Sequence, residues 1–126
     1  MHLENSMKEW LFFNMRDELL RIDIAQIVYF QADGNYTQIV LADGSKASVC
    51  MNLSGMQSVL EEHRKGKVNF FARIGKSYII NLNYVYQISV LRKRLVLSDQ
   101  STFSFTIGMS KEALKKLKAL MVQVKI

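Results

Sequence analysis

Proline is absent from this sequence, cysteine and tryptophan occur once each (Cys50, Trp10), and histidine occurs twice (His2, His63). A lone cysteine closes no internal disulfide and cannot build a multi-cysteine zinc site, and two imidazoles so far apart offer no metal-ligand spacing. Thiol and zinc chemistry are thereby excluded, and no cofactor is expected. No run approaches the roughly 20 apolar residues that a membrane span requires. Glu4, Lys8 and Glu9 interrupt the region where a signal peptide carries its apolar stretch, so a cytoplasmic protein is expected. What is present is ordinary for one soluble domain: 126 residues, 49% hydrophobic and 22% charged, are enough for one core and too few for two.

Catalytic signatures are missing as well. Gly75-Lys76-Ser77 resembles the end of a phosphate-binding loop, but that loop needs a second glycine five positions earlier, where Phe70 stands. There is no G-x-S-x-G elbow and no H-E-x-x-H helix. Glu61 and Glu62 are adjacent on a helical segment and cannot converge on one bond. His63, near the end of that segment, is placed to shield carbonyls or to meet solvent. The residues therefore argue against an enzyme.

Charge is distributed unevenly. Residues 1–59 carry four Lys/Arg against seven Asp/Glu, a net −3, whereas residues 60–126 carry thirteen against four, a net +9, giving the total of +6. Such an asymmetry suits a polyanionic partner, either nucleic acid or an anionic membrane surface, although a merely solvated basic face has the same composition.

Period-two alternation dominates the patterning. In Thr102-Phe103-Ser104-Phe105-Thr106-Ile107 the apolar residues share one face and the hydroxyls the other. Similar runs at 10–13, 18–22, 27–31, 36–41, 46–51, 84–90 and 94–98 are separated by Asp, Gly, Asn and Ser and read as strands. Asp43-Gly44 signals a type I′ hairpin. Helical spacing occurs at Leu53, Met56, Val59 and Leu60 and again at Leu114, Leu117, Met121 and Val124. These predict helices over 53–63 and 110–123. Asn52 or Ser54, the latter with Gln57 at capping-box spacing, can start the first helix and Gly66 can end it; Ser110 can start the second. Residues 39–49 also align with 95–105, suggesting a hairpin-plus-helix plan used twice. Within the apolar run that follows Ser77, Tyr78, Ile79, Ile80 and Leu82 read as core and Asn81 as a residue bonding the backbone of a bend.

The segments that remain are polar loops between strands: Ala32-Asp33-Gly34-Asn35-Tyr36-Thr37, Arg73-Ile74-Gly75-Lys76-Ser77-Tyr78 and Arg92-Lys93-Arg94. Loops held by a rigid sheet are common binding surfaces. Lys and Arg neutralise phosphates, Asn and Arg read base edges, and hydroxyls position backbone contacts. Turn chemistry alone also accounts for each loop taken singly.

Taken in order, Ile27-Val28-Tyr29-Phe30-Gln31-Ala32-Asp33-Gly34-Asn35-Tyr36-Thr37, Leu41-Ala42-Asp43-Gly44, the helical segment from Leu53 to Leu60, Phe71-Ala72-Arg73-Ile74-Gly75-Lys76-Ser77-Tyr78-Ile79-Ile80-Asn81-Leu82 and a closing hairpin resemble the LytTR DNA-binding domain of bacterial response regulators. The resemblance covers about residues 11–120, with Arg73 and Ser77-Tyr78-Ile79-Ile80-Asn81 standing where the family has R-h-H-x-S-Y-h-V-N. It implies a mainly β fold of short antiparallel sheets with one mid-chain and one C-terminal helix. Residues 1–9 would be an N-terminal extension and 10–126 the domain. It further implies sequence-specific binding of double-stranded promoter DNA, with no membrane partner, through inter-strand loops in neighbouring grooves. The family's DNA-facing loops correspond to Asn35, Tyr36 and Thr37, to Gly75 and Lys76, and to the turn Gly108-Met109-Ser110; with the basic and hydroxyl residues beside them, the expected DNA-binding residues are Asn35, Tyr36, Thr37, Arg73, Lys76, Ser77, Lys93, Arg94, Ser110 and Lys111. Two positions depart from the family: its frequent His is Gly75, and its Ser-Arg before the last helix is Gly108-Met109. Family members often follow a phosphorylatable receiver domain. With about ten residues before the first strand, this chain is expected to be either free-standing or a fragment, its upstream kinase or receiver unknown, and to pair on repeated DNA sites.

The rival reading is a pleckstrin-homology-like module, a basic β-sandwich binding phosphoinositides or a protein strand. It requires no mid-chain helix and an aromatic anchor in the last helix.

Overall fold

In the computed structural model, which describes residues 8–122, the run Ile27-Val28-Tyr29-Phe30 is buried along its whole length at the centre of a five-stranded sheet. The chain forms β1 (Trp10–Asn14), β2 (Leu19–Asp23), β3 (Ile27–Asp33), β4 (Tyr36–Leu41), β5 (Lys46–Val49), α1 (Leu53–His63), β6 (Phe71–Ile74), β7 (Tyr78–Asn81), β8 (Val85–Ser89), β9 (Arg94–Ser98), β10 (Ser104–Gly108) and α2 (Lys111–Met121). The central sheet has the order β5-β4-β3-β7-β6. A two-stranded sheet, β1-β2, and a three-stranded one, β10-β9-β8, complete an entirely antiparallel set. The expected mainly β class with two helices is the observed one.

Both faces of the central sheet are covered, so its inner strands carry continuous apolar residues instead of simple alternation. On one face Ile27, Phe30, Ile39 and Ile79 pack with Leu11, Phe13 and Ile22 of the two-stranded sheet and with Leu53, Met56 and Leu60 of α1. On the other, Val28, Tyr29, Val40 and Ile80 pack with Leu95, Leu97 and Ile107 of the three-stranded sheet and with Leu114 and Leu117 of α2. Val28 and Tyr29 share a face because the β3–β4 register shifts between Ile27 and Tyr29, a bulge that interrupts the alternation. Leu114 and Leu117 are fully buried, and each contributes roughly 1.5–3 kcal/mol relative to exposure.

Both helices begin as their sequences predict. Asn52 accepts from the Gly55 N–H at 2.8 Å and Ser110 from the Ala113 N–H at 3.2 Å. The alternative cap at Ser54 does not form: Ser54 is already the second residue of α1, and its hydroxyl accepts from Arg73. Gly66, at φ +78°, lies in the turn after α1, which has already ended at His63. Val124 and the end expected at residue 123 for the second helix lie outside the described residues.

Several local expectations are corrected. At Asp43-Gly44 only Gly44 has positive φ (+87°), with its N–H bonded to the Leu41 carbonyl and the Leu41 N–H to Ser45. This is a type I turn followed by a left-handed glycine, in place of type I′. The internal repeat is also inexact: Ile39 pairs with Ala47, but the aligned Leu95 pairs with Ile107 and not Phe103. The second hairpin is longer because Asp99 organises its loop by accepting from Ser101, Thr102 and Phe103. Residues 71–74 and 78–81, absent from the expected strands, form β6 and β7. His63 neither shields carbonyls nor stands free in solvent. Its Nε2 lies 3.2 Å from Glu9, whose carboxylate also accepts from Arg64 at 2.7 and 2.8 Å. Glu9, placed by the sequence reading in the N-terminal extension, thus ties the chain before β1 to the end of α1. The pleckstrin-homology-like reading is not favoured, since α1 occupies the middle of the chain and α2 has no aromatic residue.

Three carboxylates have pKa values below their ordinary range. The Arg64 guanidinium lowers Glu9, the Ser45 hydroxyl and N–H lower Asp43, and the Thr102 hydroxyl with neighbouring N–H groups lowers Asp99. Folded-state values below the ordinary 4.5 and 3.8 mean that the associated stability is complete above that range and is lost as pH falls through it. The melting midpoint is therefore expected to be level from about pH 7 to about pH 5 and to fall below about pH 4. Thermal melts across that series check this, and in Glu9→Gln the fall should be shallower.

Candidate nucleic-acid interface

The interface begins where β3 ends. Gln31 is paired with Tyr78 at the start of β7, and the Ala32 N–H donates to the Ser77 carbonyl at 2.8 Å. Antiparallel pairing therefore brings the β3–β4 turn and the β6–β7 turn out of the same end of the central sheet. The first turn is two residues, Gly34-Asn35, between the paired Asp33 and Tyr36, with positive φ only at Gly34 (+60°), as in a type II′ hairpin. It leaves Asn35 and Tyr36 exposed. The second turn carries Gly75 at φ +68°, a conformation costly for residues with a Cβ, and presents Lys76 and Ser77 to solvent.

The three-stranded sheet adds a third and a fourth segment at this end. The Met109 N–H donates to the Lys93 carbonyl at 3.0 Å, which joins the β8–β9 turn to the β10–α2 junction. Arg94 is paired with Gly108. A cleft of about 210 Å³ separates Lys76-Ser77 from Gly108-Met109-Ser110. Lys76, Arg92, Lys93, Arg94 and Lys111 are all exposed, and none is paired with a carboxylate among the described residues. The edge can therefore meet a strongly anionic surface, with one amide, Asn35, able to donate and accept at the same time.

Two of the expected DNA-binding residues have polar groups engaged within the protein. Thr37 is fully buried, and its hydroxyl donates to the Met51 carbonyl at 2.7 Å, because in β4 it is paired with Val49 and faces inward. Arg73 is half-buried, with its guanidinium bonded to Ser54, Gln57 and the Lys76 carbonyl. Ser110 is exposed, but its hydroxyl caps α2. The structure thus gathers Asn35, Tyr36, Lys76, Ser77, Lys93, Arg94, Ser110 and Lys111 at one edge and places Thr37 and Arg73 behind it. Leu91, 83% exposed beside Arg92, Lys93 and Arg94, is a candidate that the sequence reading missed. Its signal is a lone large apolar residue at the tip of a basic turn.

The exposed cations thus lie on an edge of turns mounted on three antiparallel sheets. The sequence matches the LytTr DNA-binding domain family over residues 17–122, and the chain belongs to that family. A solved LytTr DNA-binding domain from Bacillus cereus, taken from a protein described as a methyl-accepting/DNA response regulator, is similar in fold. Its TM-score is 0.61 at 16% sequence identity, covering 90% of this chain and 97% of that one. No curated protein matches the chain. Among the described residues, no helix is long and apolar enough to cross a membrane.

Proposed function

We propose that this chain is the DNA-binding part of a bacterial cytoplasmic transcription regulator and recognises particular duplex sites through its inter-strand turns, lodged in neighbouring grooves. One observation carries the reading: Asn35, Lys76, Lys93, Arg94 and Lys111, far apart in sequence, are exposed together along one edge. Lysines and arginines anchor the backbone, while an amide such as Asn35 can bond both N6 and N7 of one adenine. The chain performs no chemistry of its own in this reading. Repeated sites would let a second copy bind at raised effective concentration, so pairing belongs to the complex with DNA.

Paired titrations of two variants on a preferred and on a random duplex test the proposal. Asn35→Ala is expected to lose about 1–3 kcal/mol on the preferred duplex and little on the random one, as for a bidentate base contact. Lys76→Ala should weaken both and lower the salt slope by about one. Equal losses on both duplexes for Asn35→Ala would remove it from base reading. Binding to anionic liposomes without binding to DNA would overturn the proposal as a whole.

A further inference from the structure

Arg73 is the cation near this edge whose guanidinium is already hydrogen-bonded within the protein. One terminal nitrogen of its guanidinium donates to Ser54 Oγ at 2.9 Å and, more weakly, to Gln57 Oε1 at 3.4 Å; the other donates to the Lys76 carbonyl at 3.2 Å. We propose that Arg73 is a positioning residue that clamps the Lys76 turn onto the first turn of α1 and so governs which sequences the turns discriminate, without contacting a phosphate. This rests on the DNA-binding reading above.

The planar fork of Arg reaches acceptors on two elements at once, which a lysine ammonium on its flexible stem does not reproduce. With its carbonyl held, Lys76 projects from a fixed backbone. The same first turn of α1 follows Met51, whose carbonyl holds the Thr37 hydroxyl, and Thr37 lies in the strand that leaves the Asn35 turn. The start of α1 therefore joins the two turns that carry Asn35 and Lys76. Preorganised loops lose less freedom on binding than loops ordered by the ligand, and they admit fewer alternative geometries. Losing the clamp should therefore damage discrimination more than general attraction to phosphate.

The test compares the full chain with Arg73→Gln, Ser54→Ala and Lys76→Ala. Each is titrated on random duplex and on a preferred duplex selected from a random pool, over a range of salt, and amide NMR spectra are recorded without DNA. Arg73→Gln is expected to lower the preferred-to-random ratio by about tenfold, the scale of one lost charge-assisted hydrogen bond, with an unchanged salt slope. The amide signals of Gly75, Lys76 and Ser77 should shift. Ser54→Ala keeps the Arg73 charge and the Asn52 cap, yet it should move the same quantities in the same direction by less. An Arg73→Gln protein that loses equally on both duplexes, with a slope lowered by about one, would make Arg73 a phosphate contact and overturn the proposal. If Arg73→Gln does not fold, Ser54→Ala decides, and an unchanged ratio there overturns the proposal. Lys76→Ala separates the two levels. No effect of that variant on DNA binding removes the interface and this inference with it, whereas a lowered slope beside unchanged ratios in the other two removes the positioning role alone.

Discussion

Duplex DNA binding is expected to weaken by roughly 10²- to 10³-fold when salt rises from about 50 to about 200 mM. Lys76, Arg92, Lys93, Arg94 and Lys111 are exposed cations of the edge with no carboxylate partner among the described residues, while Arg73 is half-buried and bonded to Ser54 and the Lys76 carbonyl. If each of these five releases one condensed counterion, the slope of log affinity against log salt is about −4.5. Because the term is blind to sequence, random and preferred duplexes should give nearly parallel lines, separated by the base contacts. Fluorescence anisotropy at five or six salt concentrations measures both lines. A slope shallower than about −2 would mean that most of these cations do not reach phosphate, and the edge would then be wrongly assigned.

Replacing Asn81 by Ala should unfold the domain more readily than any change at the interface. The side chain is 1% exposed, its amide donates to the Ile27 carbonyl at 2.7 Å, and its oxygen accepts from the Asn83 N–H at 2.9 Å. One residue thus closes the start of β3 and caps the 3-10 turn Leu82–Tyr84 that leads into β8. Alanine strands a buried carbonyl, at about 1–3 kcal/mol, and removes a cap worth about 1 kcal/mol. The sum, about 2–4 kcal/mol, lowers the melting midpoint by roughly 10 °C in a domain of this size. Calorimetry of the variant beside Asn83→Ala, whose own side chain is exposed, isolates the effect. Asn81 ends the strand that the Lys76 turn begins, so protein still folded at low temperature should retain the wild-type salt slope. A loss below about 1 kcal/mol would show that the Ile27 carbonyl finds another partner.

Asn81 also illustrates what was legible in advance. An amide inside an apolar run has to bond backbone, and that reasoning anticipated its role without knowing the partner. Phe103, Phe105 and Ile107, or Leu114 and Leu117, were readable for a similar reason: their periods of two and of three to four report which face is buried. The inward orientation of Thr37 and the bonding of Arg73 to α1 were not legible, because a polar residue beside a turn carries no local sign of its partner. The strand 71–74 was missed because Phe71-Ala72-Arg73-Ile74 is short and has no clean alternation.

By itself, the sequence determined the β-rich class, the places of both helices, the basic second half and the polar turns that interrupt the strands. Each of these follows from neighbours within a few positions, where φ preferences, periodicity and charge act directly. The order β5-β4-β3-β7-β6, which lays β7 against β3 across the intervening helix and loops, was decided only by tertiary structure. So was the union of the Asn35 turn, the Lys76 turn and the Lys93–Met109 pair at one edge. Those pairings depend on burying both faces of β3 at once, a condition that couples distant segments and leaves no local mark on any of them.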